Sequence, residues 1–401
     1  MPFPLYLLAL AVFAMGTSEF MLAGLLPDIA SGLGVTVGTA GTLTSAYAIG
    51  MVVGAPLTAA LARKRPGRSS LLGFVLVFLS AHVLGAVTDS FAVLFATRVV
   101  AALANAGFLA VALTTAATLV PVDQKGRALA VLLSGTTVAM VVGVPGGSVL
   151  GTQLGWRATF WAVAVLCLPA AIGVLAGIPA RRGQKDVTEG PPLRAELAQL
   201  GGPRLLAVVL LGALVNAATF AGITFLAPVV TGTAGLGELW ISVALVLFGV
   251  GSFIGVTVAG RLSDQRPDLF LAVGGPLLLI GWPALAVLAD RPVALLVLVF
   301  VQGALSFAVG STLITRILYE AAGAPTMAGS YATAALNTGA AIGPLIAATT
   351  LTTAAGDLGP LWVSGLLVAF GLLIAVPLRT LVMAGRSSES GGCYSRPEAA
   401  P

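Results

Sequence analysis

Charge is scarce in this sequence. Lysine, arginine, aspartate and glutamate make up 9% of its 401 residues, against about 25% in soluble domains, so the chain cannot clothe a water-facing surface and does not fit a soluble globular protein. Histidine is nearly missing. His82 stands alone, with no cysteine or carboxylate companion at ligand spacing, which speaks against a metal centre or a Ser/His nucleophile; it is expected to be a helix-packing residue. The two cysteines, Cys167 in an apolar run and Cys393 in a polar tail, lie at different depths and should neither bridge nor serve redox chemistry. No nucleotide-binding glycine loop, no ring of like charges and no filter sequence occurs. A membrane-embedded enzyme and a channel are therefore both disfavoured, and no cofactor or metal is expected.

What the chain has in abundance is apolar sequence. It is 58% hydrophobic with a mean hydropathy of +1.04, and a bilayer is crossed by roughly 20 apolar residues in a helix. Twelve such runs are predicted, at 5–27, 41–62, 70–88, 91–118, 128–151, 158–178, 205–228, 239–260, 269–289, 292–315, 328–354 and 360–380. The first has no basic residues before it and reads as a retained helix, not a cleaved leader. Basic residues cluster in alternate loops: Arg63, Lys64, Arg65, Arg68, Lys125, Arg127, Arg181, Arg182, Lys185, Arg194, Arg204, Arg261, Arg266 and Arg316 fall on one side, together with Arg379, Arg386 and Arg396 of the tail. Only Arg157 and Arg291 fall in the loops of the other side. The positive-inside rule then places both termini in the cytoplasm of a multi-pass cell-membrane protein. The net charge of +5 and pI of 9.6 follow from those inner loops and imply a lipid bilayer, not nucleic acid, as the partner.

The chain also repeats itself. Pro27, Gly50, Gly54, Leu61, Arg65 and Pro66 match Pro228, Gly251, Gly255, Leu262, Arg266 and Pro267 at a constant offset of 201. The expected organisation is an N-terminal six-helix half over 1–180, a cytoplasmic linker over 181–204 with a short amphipathic piece at Leu193–Leu200, a C-terminal six-helix half over 205–380 and a disordered cytoplasmic tail over 381–401. Two packed halves that rock about a site between them are the arrangement of transporters, so transport is the expected activity.

Two charges lie deep inside the apolar runs, Glu19 in the first and Arg98 in the fourth. Such residues face protein or a water-filled cavity. Desolvation penalises the carboxylate, which suits Glu19 to carrying a proton. Arg98 brings five donors that need acceptors such as Glu19, helix carbonyls or water. The repeat mates of these two are Phe220 and Val299, so the proton-coupling pair belongs to one half only. Small residues and prolines, with Gly143, Pro145 and Gly147 in the fifth run and Gly339, Gly343 and Pro344 in the eleventh, permit close helix approach and bending and point to the rocking interface. Polar and aromatic residues on runs expected to line a central cavity are Tyr47, Asn105, Asn216, Phe220, Gln302, Phe307, Tyr331 and Asn337. They are the candidate substrate contacts.

At this point the residues resemble a family. Gly260-Arg-Leu-Ser-Asp264-Gln-Arg266 is similar to the signature loop of the major facilitator superfamily; its first-half counterpart departs, with Ala59 and Arg63 at the Gly and Asp positions. Arg98 followed by Asn105 and Gly107 resembles the family's fourth-span motif, and Gly143-Val-Pro145-Gly-Gly147 its fifth-span antiporter motif. Met15-Gly-Thr-Ser-Glu19-Phe through Pro27-Asp-Ile, and Gly155-Trp-Arg-Ala-Thr-Phe-Trp161, look like the branch holding arabinose-efflux-like permeases and actinobacterial chloramphenicol exporters. The resemblance spans about residues 1–380. It implies an all-α membrane protein with the superfamily's fold, twelve transmembrane helices in two pseudo-symmetric six-helix halves. It also implies a monomeric drug:proton antiporter, driven by the proton gradient without a cofactor and exporting a small amphiphile such as chloramphenicol. Glu19 and Arg98 would couple protons, while Asp264, Arg266, Gly143, Pro145 and Gly147 would gate. A sugar exporter of the same fold is the alternative.

Overall fold

The computed structural model describes residues 1–21, 25–35, 37–62, 66–178, 192–237, 239–262 and 267–389. Twelve long helices carry the fold: α1 Phe3–Phe20, α2 Val37–Ala62, α3 Gly67–Val87, α4 Phe91–Thr118, α5 Lys125–Leu154, α6 Trp156–Gly177, α7 Pro203–Thr224, α8 Leu239–Leu262, α9 Pro267–Val287, α10 Pro292–Glu320, α11 Ala328–Ala348 and α12 Gly359–Glu389. Among the described residues nine helices are long and apolar enough to cross a membrane, and Phe3–Glu19 and Thr42–Thr58 are shorter apolar stretches. In α11, small and polar residues replace much of the aliphatic surface. Helix is the form that lipid demands, since it satisfies the backbone without water.

Packing repeats with the sequence. Helix α5 lies on α1 and α11 on α7; α4 lies on α2 and α10 on α8; α6 packs on α1 and α3 as α12 packs on α7 and α9. Gly50 and Gly54 let α2 approach Val99 and Leu103 of α4, and their mates Gly251 and Gly255 bring α8 against the carbonyls of Phe300 and Ala304 of α10, the residues one repeat further on. A β-carbon at Gly251 or Gly255 would fall on that backbone. The two sets meet through α2 against α11 and α5 against α8, one contact seen twice about a pseudo-twofold axis. Burial follows this order. Of the residues in their most apolar windows, 61% are buried in α4 and 56% in α5, but only 33% in α9, which puts α9 at the rim facing lipid.

The first and seventh apolar runs are not single helices. The expected span at 5–27 ends at Phe20, and a separate helix Leu26–Leu33 follows with Pro27 in its first turn. The run at 205–228 stops at Thr224 and resumes as Leu226–Pro228 and a π-helical turn, Val229–Thr233. Matched prolines explain the matched breaks, because proline lacks the donor that would continue the preceding ladder and is accommodated in a first turn. At the other terminus α12 continues to Glu389, past the expected end at 380, since no proline interrupts Leu378–Glu389. Residues 390–401 lie outside the described set, as do residues 181–191 of the linker.

One end of the bundle is shut. Near the end of α2, Ser330 of α11 donates to the Ala55 carbonyl at 2.9 Å, and Gly329 sits against the backbone of Ala110 in α4. The apolar core of the first six helices runs on through Ile317, Ala321, Ala324, Met327 and Ala332 of the second set at that end. A second core holds Phe248, Trp282, Leu295 and Val368.

Candidate functional site

Helix α1 stops at Phe20, so its C-terminal turn lies within the span expected to cross the membrane. Arg98, 1% exposed, is bonded to that turn. Its Nη2 donates to the Ser18 carbonyl at 3.1 Å and its Nη1 to Ser18 Oγ at 2.6 Å. A cation at a helix C-terminus also meets the negative end of the helix dipole. The guanidinium lies over the Tyr47 ring, 4.3 Å from its centroid, and the Tyr47 hydroxyl accepts from Asn105 Nδ2 at 2.9 Å.

The Ser18 hydroxyl is held from its other side. His82 Nδ1 is 2.8 Å from the Phe78 carbonyl and His82 Nε2 is 2.7 Å from Ser18 Oγ. A carbonyl only accepts, so Nδ1 carries the proton, Nε2 is the acceptor and Ser18 donates to it. Phe78 and Phe160 flank the imidazole at centroid distances of 4.2 and 5.8 Å. His82, expected to be packing alone, is thus the end of a hydrogen-bonded chain from Arg98 through Ser18.

Beside this chain opens a central cavity with about 900 Å³ of space unfilled by atoms, part of it continuous with the exterior. Its walls come from α1, α2, α4 and α5 on one side and α7, α8, α10 and α11 on the other. Glu19, Asn105, Asn216, Phe220, Phe307 and Asn337 all line it. The carboxyl of Glu19 and the charge of Arg98 are near enough to sense each other, yet they form no ion pair; Arg157, in the first turn of α6, pairs with Asp89 of the loop between α3 and α4 at 2.6 Å. Asn216 Nδ2 donates to the Leu336 carbonyl at 2.6 Å and Asn337 Nδ2 to the Thr333 carbonyl at 2.9 Å, which fixes both amides in the wall.

Sequence reasoning missed Ser306, Ser311 and Thr136, which line the same cavity. Ser306 is 3% exposed and its hydroxyl has no hydrogen-bond partner in the protein. The offset of 201 would have found it: Ser306 is the mate of Asn105, and Phe248 the mate of Tyr47. Asn105 bonds the Tyr47 hydroxyl; Phe248 has none to offer, and Ser306 is left facing the cavity.

Other candidates stand elsewhere. Tyr47 is behind the wall, 2% exposed under Arg98. Gln302 is fully buried between α10 and α9, where its amide oxygen, suitably oriented, accepts from the Trp282 backbone and indole N–H groups at 2.9 and 3.3 Å. A buried amide is driven to such partners by desolvation, and this one has no surface left for substrate. Tyr331 lies at the closed end, its hydroxyl donating to the Glu196 carbonyl at 2.8 Å. Glu196 belongs to the short helix Leu193–Ala198, and its carboxylate accepts from the Thr326 and Met327 N–H groups at 3.0 Å each, ahead of α11. Gly143 and Gly147 approach Thr17 of α1 and Met21 just after it, with Pro145 between them in α5. The expectation that this small-residue face meets the other half is corrected: it seats α5 on α1, just as Gly339 and Gly343 seat α11 on Ala213 and Ala217 of α7. The contact of α5 with the second set uses Ala130 and Val141 against Gly260 and Gly249 of α8. Asp264 and Arg266 lie outside the described residues.

Comparison with known proteins agrees with this architecture. Residues 8–344 match the Major Facilitator Superfamily model. A "Chloramphenicol resistance protein" of Streptomyces lividans is 79% identical over 95% of this chain and 97% of its own. "Inner membrane transport protein YdhP" of Escherichia coli K12 is 33% identical over 85% of this chain and 87% of its own. Among solved structures, a superfamily transporter, FucP, in the outward conformation has a TM-score of 0.76 at 16% identity, covering 93% of this chain and 97% of that one. With its twelve long helices, paired packing and central cavity, the chain belongs to the Major Facilitator Superfamily and is a multi-pass membrane transporter, not an enzyme.

Proposed function

We propose that this protein exports chloramphenicol or a related phenicol from the cell in exchange for protons, working as a monomer in the cell membrane with both termini in the cytoplasm. The observation that carries the reading is the position of Glu19, a carboxyl on the wall of a cavity built by both sets of helices and shut at one end. A carboxyl there can take a proton when the cavity faces the more acidic side and release it when the cavity faces the other, which ties the proton's path to the drug's. The distribution of basic loops makes the shut end cytoplasmic. Phe220 and Phe307 offer aromatic surface, and Asn105, Asn216, Asn337 and Ser306 offer hydrogen bonds; a neutral amphiphile with a ring and polar substituents matches that lining. The 79% identity to a protein named for chloramphenicol resistance supports the same substrate class.

The test is drug susceptibility of an efflux-deficient host expressing the protein, across phenicols and sugar analogues, with and without a protonophore. Tolerance to chloramphenicol should rise several-fold, fall back with the protonophore and be absent in Glu19→Gln, whose amide cannot exchange a proton in the working range. Drug recovered from the medium should be chemically unchanged. Tolerance to sugar analogues with no change toward phenicols would overturn the substrate reading, and Glu19→Gln with full protonophore-sensitive export would overturn the role of the carboxyl.

A further inference from the structure

Arg98 spends both terminal nitrogens on Ser18, the residue preceding the cavity carboxyl, and its Nε has no partner in the protein. We propose that Ser18 and His82 form an anchor that competes with Glu19 for the Arg98 guanidinium, which makes His82 a positioning residue for the coupling of protons to transport. The inference rests on the reading of Glu19 as the proton carrier.

A serine hydroxyl within a helix ordinarily turns its hydrogen back to the carbonyl three or four residues earlier. The second repeat shows what happens without a histidine. Thr219, the mate of Ser18, donates to the Val215 carbonyl at 2.8 Å, and the mates of Glu19, His82 and Arg98 are Phe220, Pro283 and Val299. In the first repeat His82 Nε2 draws the Ser18 hydrogen away from its own helix, so the oxygen's lone pairs face Arg98. Glu19, His82 and Arg98 occur together in one half and are lost together in the other, where only the hydroxyl of the fourth member is kept, as Thr219. The histidine's orientation is fixed by the Phe78 carbonyl and two phenyl rings, not by Arg98, so the anchor stays formed when the guanidinium leaves.

Two positions are then open to Arg98. With Glu19 protonated, the guanidinium rests on Ser18, as here. A deprotonated Glu19 becomes the stronger acceptor, because a charge-assisted bond exceeds one to a neutral hydroxyl. The anchor sets how readily that exchange occurs. The titratable groups that face this site are Glu19 from α1, Tyr47 from α2, His82 from α3 and Cys167 from α6 among the described residues.

Full-length protein in proteoliposomes provides the test, with two readouts: chloramphenicol accumulation driven by an imposed pH gradient, and exchange of labelled for unlabelled drug without a gradient. His82→Ala and Ser18→Ala should lower gradient-driven accumulation at least tenfold while exchange stays within twofold. That retained exchange reports a folded, substrate-competent protein. His82→Gln sets an amide oxygen near the place of Nε2 and should restore at least half of the accumulation; His82→Asn reaches only the Nδ1 position and should not. Equal losses in Gln and Asn variants, or parallel losses of exchange and accumulation, would reduce His82 to packing and overturn the anchor. Glu19→Gln runs alongside. If it still accumulates drug, the carboxyl reading fails and the anchor with it; if it is inactive while His82→Ala matches wild type, the anchor alone fails.

Discussion

Replacing Ser306 by alanine should affect the substrate and the fold in different ways. The hydroxyl is buried at the cavity wall and bonds no protein group, so its removal breaks nothing within the protein and stability should change by no more than about 0.5 kcal/mol. If a drug oxygen or hydroxyl meets Ser306, the variant loses one neutral hydrogen bond, worth about 0.5–1.5 kcal/mol, or roughly a 2- to 12-fold weaker Kd. The mate of Ser306 supplies the contrast. Asn105→Ala removes the 2.9 Å bond to the Tyr47 hydroxyl and should destabilise the protein by about 0.6 kcal/mol, the average for hydrogen bonds within membrane bundles, and by no more than about 1.7 kcal/mol. Purified protein in detergent allows both measurements: calorimetric titration with chloramphenicol for Kd, and a thermal melt without drug for stability. Thiamphenicol, which carries a sulfone in place of the nitro group, and florfenicol, which carries that sulfone and also fluorine in place of the primary hydroxyl, identify the partner: chloramphenicol against thiamphenicol tests the nitro group, and thiamphenicol against florfenicol tests the hydroxyl. The analogue lacking the group that meets Ser306 should bind wild type and variant alike. Unchanged affinity of Ser306→Ala for all three compounds, or a melt as depressed as that of Asn105→Ala, would refute the reasoning.

Arg98→Lys keeps the charge but offers one nitrogen where two now bond Ser18 and a planar face covers Tyr47. The loss of one charge-assisted bond, about 1.5–3 kcal/mol, should cut export at least tenfold in cells while immunoblots show normal membrane insertion. Gly251→Ala places a β-carbon on the Phe300 backbone, whereas Gly73→Ala in α3 meets open space. Thermal melts in detergent should show the first destabilised by about 1–3 kcal/mol and the second unchanged or slightly stabilised.

The features legible in the sequence are those that depend on spacing along the chain. Runs of apolar residues located the helices, and the offset of 201 matched Gly50 to Gly251 and Gly54 to Gly255 before their partners, Val99 with Phe300 and Leu103 with Ala304, were known. The breaks after Phe20 and Thr224 escaped, because the residues beyond them are still apolar and hydropathy does not sense where a helix is interrupted. Prolines at matched places were the available signal. Gln302 and Tyr331 were misjudged for a different reason. Whether an amide or phenol on a cavity helix faces the cavity depends on helix rotation, and their partners, Trp282 and Glu196, come from an adjacent helix and a linker whose docking no local pattern encodes.

The Arg98–Ser18–His82 chain was the least legible of all, and the duplication explains why. A scaffold contact that must form in both halves appears twice, and repetition is what separates it from chance in a single sequence. Chemistry that acts once appears once. Glu19, His82 and Arg98 have Phe220, Pro283 and Val299 as mates, so the comparison that revealed the glycine contacts returned only a lack of match there. Read in the opposite sense, a polar residue whose mate is apolar, on helices that otherwise pack alike, marks a place where the halves have divided their labour. Asn105 with Ser306 is the intermediate case: both positions are polar, but only one keeps its phenolic partner. The first half then holds the deep charges and ties down its own amide, while the second leaves the Ser306 hydroxyl without a protein partner at the cavity wall. Both walls belong to one space, and the halves that carry them touch through α2 and α11 and through α5 and α8.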